Sequence, residues 1–140
     1  AVAVLHDRDP GAPLRPEQRT GNLLLTALSG AKVVRVAPEG VAGAMRAALA
    51  ELAGDGYTPF EIPGGGHCVA GALAYAAAAQ ELAAQCGSWR PEYVVLASGT
   101  GTTQAGLVVG LEALGWPTRV LGVSVARRNP RGAAVVEAAC

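Results

Sequence analysis

Apolar positions along the chain follow two patterns that alternate from one end to the other. Short continuous apolar runs predict strands at residues 1–5, 32–36, 60–62, 93–97 and 119–125. Apolar residues at helical spacing predict helices at residues 22–29, 38–53 and 69–85, from the 98–103 turn to 114, and at 132–140. Because strands alternate with helices, we expect an α/β fold: an open parallel sheet with helices on both faces, incomplete at both ends of the chain.

The stretch 93–110 organises the rest of the chain. Four apolar residues, 94–97, predict a strand buried on both faces, as in parallel sheets. They are followed at once by Ser98, Gly99, Thr100, Gly101, Thr102 and Thr103. Glycines that tolerate positive φ, hydroxyl groups and the free N–H groups of a new helix together predict a phosphate-binding turn.

The spacing within this turn argues against two nucleotide-binding motifs. A dinucleotide fingerprint requires glycine where Gln104 stands, and a P-loop requires Lys-Ser/Thr where the chain has Leu107 and Val108. We therefore expect a phosphate cup of neutral hydroxyl and amide donors, with no cation in contact. The alternative is an ordinary strand-to-helix turn in which Thr102 or Thr103 serves as the N-cap.

The segment SGTGTTQAGLVVGLE, residues 98–112, resembles the phosphate loop of fold-type II pyridoxal-phosphate enzymes. Within that family it is most similar to the branch of D-cysteine desulfhydrase and 1-aminocyclopropane-1-carboxylate deaminase. Two further stretches agree in order: Gly21–Leu25 with 30–31, and Ile62–Gly66 running to 71–75. The resemblance covers nearly the whole chain but only the middle of a family member, so we expect the chain to be a fragment.

The resemblance implies a tryptophan synthase β-like fold and pyridoxal 5'-phosphate as cofactor. It places the C-terminal part of a small inserted domain at residues 1–56 and part of the large cofactor domain at 57–140. By this resemblance, Ser98–Thr103 would bind the phosphate group of the cofactor. The parent protein would be a cytoplasmic homodimer with lyase or deaminase activity on a small amino acid. The alternative is a non-catalytic α/β module that binds a phosphorylated metabolite.

The family's covalent chemistry requires a Schiff-base lysine, and the chain has one lysine, Lys32. The resemblance places the Schiff-base lysine upstream of residue 1. Lys32 begins a predicted strand, so we interpret it as a solvated strand-end residue. We accordingly expect no catalytic residue in the chain and no activity from the chain alone.

A second glycine cluster, Gly64–Gly66, precedes the helix from Val69 and is followed by His67 and Cys68. Glycines there would let the backbone approach a ring or a carboxylate. We expect Gly65, Gly66 and His67 to contact the substrate; alternatively, His67 caps the helix or faces solvent. A cysteine nucleophile with histidine as base is disfavoured, because adjacent side chains usually point apart.

For four other residues the sequence predicts structural roles rather than ligand binding. Gly106 and Gly110 lie one turn apart and should let their helix approach the sheet closely. Gln104 should pack locally. Ser124, near the end of a strand, is more simply a buried serine than a ligand contact.

Composition narrows the possible partners. The formal net charge is zero, and charged residues make up only 16% of the chain without forming a basic stripe, which disfavours nucleic acid. The apolar helical stretch 69–84 is interrupted by Gln80 and Glu81, so we expect no membrane span. The three cysteines lack metal or disulfide spacing. His6, Asp7 and Asp9 are best explained as a solvated loop, so we expect no metal site.

Overall fold

The computed structural model describes residues 1–13 and 20–140. Within them the chain divides into two compact units, Ala1–Glu61 and Ile62–Cys140. The first unit contains β1 (Val2–His6), α1 (Gly21–Leu28), β2 (Lys32–Val36), a 3-10 turn (Pro38–Gly40) and α2 (Val41–Gly54). The second contains a 3-10 turn (Gly64–Gly66), α3 (Val69–Cys86), β3 (Tyr93–Ser98), α4 (Thr102–Ala113), β4 (Arg119–Ser124) and α5 (Arg131–Glu137).

These elements confirm the α/β class with parallel strands. The first unit is built on β1 and β2, which pair in parallel from Val2 opposite Lys32 to His6 opposite Val36. Helix α2 packs on this pair and buries Ala48, while Met45, Leu49 and Leu52 on the same helix are half-buried. Proline at the start of the predicted helix instead begins a 3-10 turn, and the α-helix starts at Val41.

The loop after β1 is held by charge. Arg35 on β2 donates to Asp7 Oδ2 from Nη2 at 2.6 Å and to the Ala12 carbonyl from Nη1 at 2.6 Å. The Asp9 backbone N–H donates to Asp7 Oδ1 at 3.0 Å. That N–H first, and then the Arg35 guanidinium, hold the pKa of Asp7 below its ordinary value of 3.8. Asp7 is therefore paired rather than simply solvated.

The second unit is built on β3 and β4, parallel from Tyr93 opposite Arg119 to Ser98 opposite Ser124. Its core contains Ala79, Leu111 and Trp116, with Val94 and Val120 packed against them. The opposite face of the same strands is exposed: Val95 is 64% and Val123 58% accessible. The expectation that the 93–97 strand is buried on both faces is therefore wrong for this chain, because its helices cover only one of them.

Residues 60–62 form no strand, so that prediction is wrong as well. Phe60 is 85% exposed, and Pro59 and Pro63 flank the segment. Neither proline has an N–H to donate to a sheet, which leaves too short a run to pair. The boundary between the two units along the chain falls within this segment. The assignment of residues 1–56 and 57–140 to a small and a large domain stays a prediction.

Helices α3 and α4 pack closely because glycines lie at their contact. A Cβ at Gly106 would come within 2.5 Å of the Tyr75 Cβ, and one at Gly110 within 2.6 Å of the Ala79 Cβ. The expectation that these glycines face the sheet is therefore wrong, since they face α3. Neither α3 nor any other helix in the described ranges is long and apolar enough to cross a bilayer.

Candidate functional site

The candidate site is the turn between β3 and α4. Ser98 ends the strand and is 8% exposed, and Thr102 begins the helix and is 2% exposed. The turn surrounds a small concavity of about 30 Å³. Its lining comprises Ala97, Ser98, Gly99, Thr100, Gly101, Thr102, Thr103 and Gln104, so all six predicted phosphate-binding residues meet there.

Backbone geometry turns free donors toward this concavity. Gly101 has φ +88° and is the N-cap of α4, and no side chain caps the helix. The Ala105 N–H donates to the Gly101 carbonyl at 2.9 Å, which leaves the three preceding first-turn amides without intrahelical acceptors. The alternative in which a threonine is the N-cap is wrong. An uncapped helix N-terminus with positive partial charge favours an anion.

The second glycine cluster lies directly against this turn. Gly65 and Gly66 have φ of +69° and +60°, and a Cβ at Gly65 would come within 2.5 Å of Thr100 Oγ1. His67 Nδ1 lies 3.0 Å from Thr102 Oγ1, which in turn lies 3.3 Å from Thr100 Oγ1. The fold thus joins the two clusters by a chain of three polar groups.

Sequence reasoning missed Arg127. Its Nη1 donates to the Gly99 carbonyl, so a cation lies beside the turn, although no lysine or arginine is among the described residues that line the concavity. Ser124 positions the arginine: its hydroxyl donates to the Arg127 carbonyl and accepts the Arg127 N–H at 3.3 Å. Ser124 is therefore exposed and hydrogen-bonded rather than a buried strand serine. The sequence did offer one signal for this contact: Arg127 lies just beyond the end of β4, the parallel strand next to β3.

Two larger cavities occur in the second unit. One, of about 380 Å³, lies at the carboxyl ends of β3 and β4 and is lined in part by Ser98, Gln104 and Ser124. Gln104 packs over Gly122 of the neighbouring strand β4, so its contact is with another element rather than the local one expected. The other, of about 440 Å³, has His67 and Cys68 in its lining and is otherwise mostly apolar, formed by α3, α4 and residues 138–140.

The remaining candidates lie outside the turn. Lys32 is the first residue of β2, and its Nζ lies 2.6 Å from Glu51 Oε1 with both side chains more than half exposed. The lysine is thus at an exposed strand end, as predicted, and ion-paired. The three cysteines are free thiols, and no group of three or more His, Cys, Asp or Glu suited to a metal occurs in residues 1–13 and 20–140.

Comparison with known proteins gives consistent results. The sequence profile of the family described as "Pyridoxal-phosphate dependent enzyme" matches residues 1–139. The chain is 48% identical over 73 residues to a D-cysteine desulfhydrase of Klebsiella pneumoniae (strain 342), covering 51% of this chain and 22% of that protein.

A crystal structure of an ACC deaminase homologue superposes with a TM-score of 0.77 at 27% identity, covering 99% of this chain and 42% of the other. The chain thus spans less than half the length of either relative.

Proposed function

The chain belongs to the family of pyridoxal-phosphate-dependent enzymes, and from this premise we propose that Ser98–Thr103 hold the cofactor's phosphate. The observation that supports this most directly is the uncapped N-terminus of α4 beside Gly101, whose φ of +88° suits glycine. Thr100 and Thr103 add hydroxyl groups at the same concavity. No carboxylate is among the described residues that line it.

These donors suit a phosphate monoester. Hydrogen bonds to a charged acceptor contribute about 1.5–3 kcal/mol each, so three backbone amides and a hydroxyl suffice to hold one dianion. Arg127 adds a positive charge at the Gly99 carbonyl, but it is not one of the hydrogen-bond donors that line the concavity. The 380 Å³ cavity shares Ser98 and Gln104 with the concavity, so the rest of the cofactor would extend from the phosphate into that space.

We propose that Gly65, Gly66 and His67 border the substrate. Bound pyridoxal phosphate supplies an electron sink for carbanion chemistry at an amino acid. The glycine turn lies against Thr100, so it can approach a ligand held by the phosphate turn. His67, in the lining of the 440 Å³ cavity, would meet the substrate's polar groups.

For the parent protein we propose a lyase or deaminase of the D-cysteine desulfhydrase or aminocyclopropane-carboxylate deaminase type. Residues 1–56 would belong to its small inserted domain and 57–140 to its large cofactor domain. The Schiff-base lysine would lie outside this chain, and the parent would be a cytoplasmic homodimer. Assays of the full-length protein for sulfide from D-cysteine and ammonia from 1-aminocyclopropane-1-carboxylate separate the two activities, and light scattering measures its oligomeric state.

The chain itself allows a direct test of the phosphate site. Pyridoxal phosphate is titrated into ¹⁵N-labelled chain, and we expect the amide resonances of 99–104 to shift with saturation. Borohydride is then added to trap any covalent bond between the cofactor aldehyde and Lys32, and we expect none. Shifts confined to other residues would refute the proposed phosphate site, and labelling of Lys32 would refute the external position of the Schiff-base lysine.

A further inference from the structure

The imidazole of His67 and the hydroxyls of Thr102 and Thr100 link the two glycine clusters, and the hydrogen bonds they can form are limited by the number of protons they carry. Thr102 Oγ1 lies between His67 Nδ1, at 3.0 Å, and Thr100 Oγ1, at 3.3 Å. Each hydroxyl has one proton to donate. The Thr102 side chain is buried from solvent and lies between two polar groups, so its proton goes to one of these neighbours rather than to solvent.

The direction of this chain therefore depends on His67. If Nδ1 carries a proton, it donates to Thr102, Thr102 donates to Thr100, and the Thr100 hydroxyl proton is free for a ligand. If Nδ1 is an acceptor, the order reverses: Thr100 donates to Thr102, and the Thr100 hydroxyl presents only oxygen lone pairs to the concavity. The backbone amides are the same in both arrangements, so the first adds a donor for an anion and the second removes it.

We propose that His67 is a positioning residue for the phosphate: its Nδ1–H orients Thr102 and Thr100 so that the Thr100 hydroxyl donates to the anion. This inference rests on the proposed phosphate site and deepens it. It gives the imidazole a function distinct from substrate contact, since the ring acts through two hydroxyls in series. By linkage, anion binding must favour the proton on Nδ1 as strongly as that proton favours the anion.

Two isosteric substitutions test the proposal with inorganic phosphate as the probe. In His67→Asn the side chain retains an N–H at the position of Nδ1, whereas in His67→Asp it only accepts. We expect the full chain to bind phosphate about as well with Asn as with His, and at least about tenfold more weakly with Asp. Calorimetry measures the affinities, and circular dichroism with Trp116 fluorescence confirms that each variant is folded.

Part of the loss of phosphate affinity in His67→Asp comes from the negative charge of the aspartate. Repeating both substitutions in a chain that also carries Thr100→Val separates this charge effect from the effect of the hydroxyl chain. Thr100→Val deletes the last hydroxyl but leaves charge and shape nearly unchanged. We expect the difference between the Asp and Asn variants to shrink several-fold in this background, because only the through-space repulsion remains. An equal difference in both backgrounds would refute the hydroxyl chain.

Imidazole ¹⁵N spectra give a readout independent of the variants. We expect phosphate to shift the His67 Nδ1 resonance toward the protonated form. A ring that keeps Nδ1 unprotonated in the phosphate complex would contradict the proposal. If the wild-type chain shows no saturable phosphate binding, the proposed function fails and this inference with it; if binding occurs without these effects of His67, only this inference fails.

Discussion

The chain holds two loops at equivalent positions, each following the first strand of a parallel pair, and they are stabilised in opposite ways. The loop after β1 is held by Arg35, which bonds Asp7 and two backbone carbonyls. The turn after β3 has no acidic residue and is shaped by glycine backbone and hydroxyl groups. In the described part of the first loop Asp7 and Arg35 satisfy each other, whereas the second turn leaves donors free for a ligand.

The comparison shows what makes such a turn a binding site. In the described part of the first loop, residues 7–13, the carboxylate of Asp7 has already taken the guanidinium and amide donors. In the second, Gly101 packs mainly against the side chains of Val135 and Val136, a contact that uses no hydrogen-bond donor. An arginine is present in each case, yet Arg127 contacts a carbonyl on the turn instead of filling the concavity.

The largest effect should come from the packing that supports the second loop. Gly106→Ala would place a Cβ 2.5 Å from the Tyr75 Cβ, so we expect about 1–3 kcal/mol of destabilisation from overpacking. Intrinsic helix propensity acts in the opposite direction, since alanine is favoured over glycine by about 1 kcal/mol. Urea unfolding followed by Trp116 fluorescence measures the net change. A more stable variant would show that the α3–α4 contact is looser than described.

A smaller effect should follow from changing the backbone of the turn itself. In Gly101→Ala a side chain must adopt φ near +88°, and its Cβ would lie 3.1 Å from Val136 Cγ2. We expect about 1–2 kcal/mol of lost stability and weaker phosphate binding. For stability, Gly99→Ala is the matched control, because φ there lies outside the left-handed region and no heavy atom lies within 4 Å of the added Cβ. Equal losses of stability in both variants would argue against a conformational requirement at Gly101.

Removing the arginine charge should have a moderate effect on binding alone. In Arg127→Gln the side chain can still donate to the Gly99 carbonyl but carries no charge. We expect phosphate affinity to fall roughly three- to tenfold, and the loss to diminish with added salt. The exposed neighbour Arg128 provides the control, and Arg128→Gln should leave the affinity nearly unchanged. Similar losses in the two variants would indicate a general charge effect.

The smallest effect should appear in the first loop and depend on pH. The lowered pKa of Asp7 means that its contribution to stability is fully present above 3.8 and is lost as pH falls through the lower folded-state value. Asp7→Asn should therefore destabilise the first unit at neutral pH but not at a pH well below 3.8. Amide hydrogen exchange of β1 and β2 follows this unit, since both tryptophans lie in the second. A difference that persists in acid would refute the ion-pair explanation.

Local sequence determined much of this molecule. Strand and helix periods located nine of the described elements, because side chains of a strand or helix share a face at a fixed spacing. Gly101 and the threonines around it marked the turn, since φ near +88° favours glycine at that position. The same local pattern misled at residues 60–62, where flanking prolines prevent pairing.

Only the tertiary structure decided which element packs against each face of a helix or strand. Periodicity shows that Gly106 and Gly110 share a side of α4, but not that α3 rather than the sheet lies against it. It likewise cannot show that the outer face of β3 stays exposed, or that Arg127 reaches Gly99 across 28 residues. The contact of His67 with Thr102 spans 35 residues and depends on how α3 and α4 pack. Such contacts depend on how whole helices and strands are arranged in space. The local sequence pattern does not determine that arrangement.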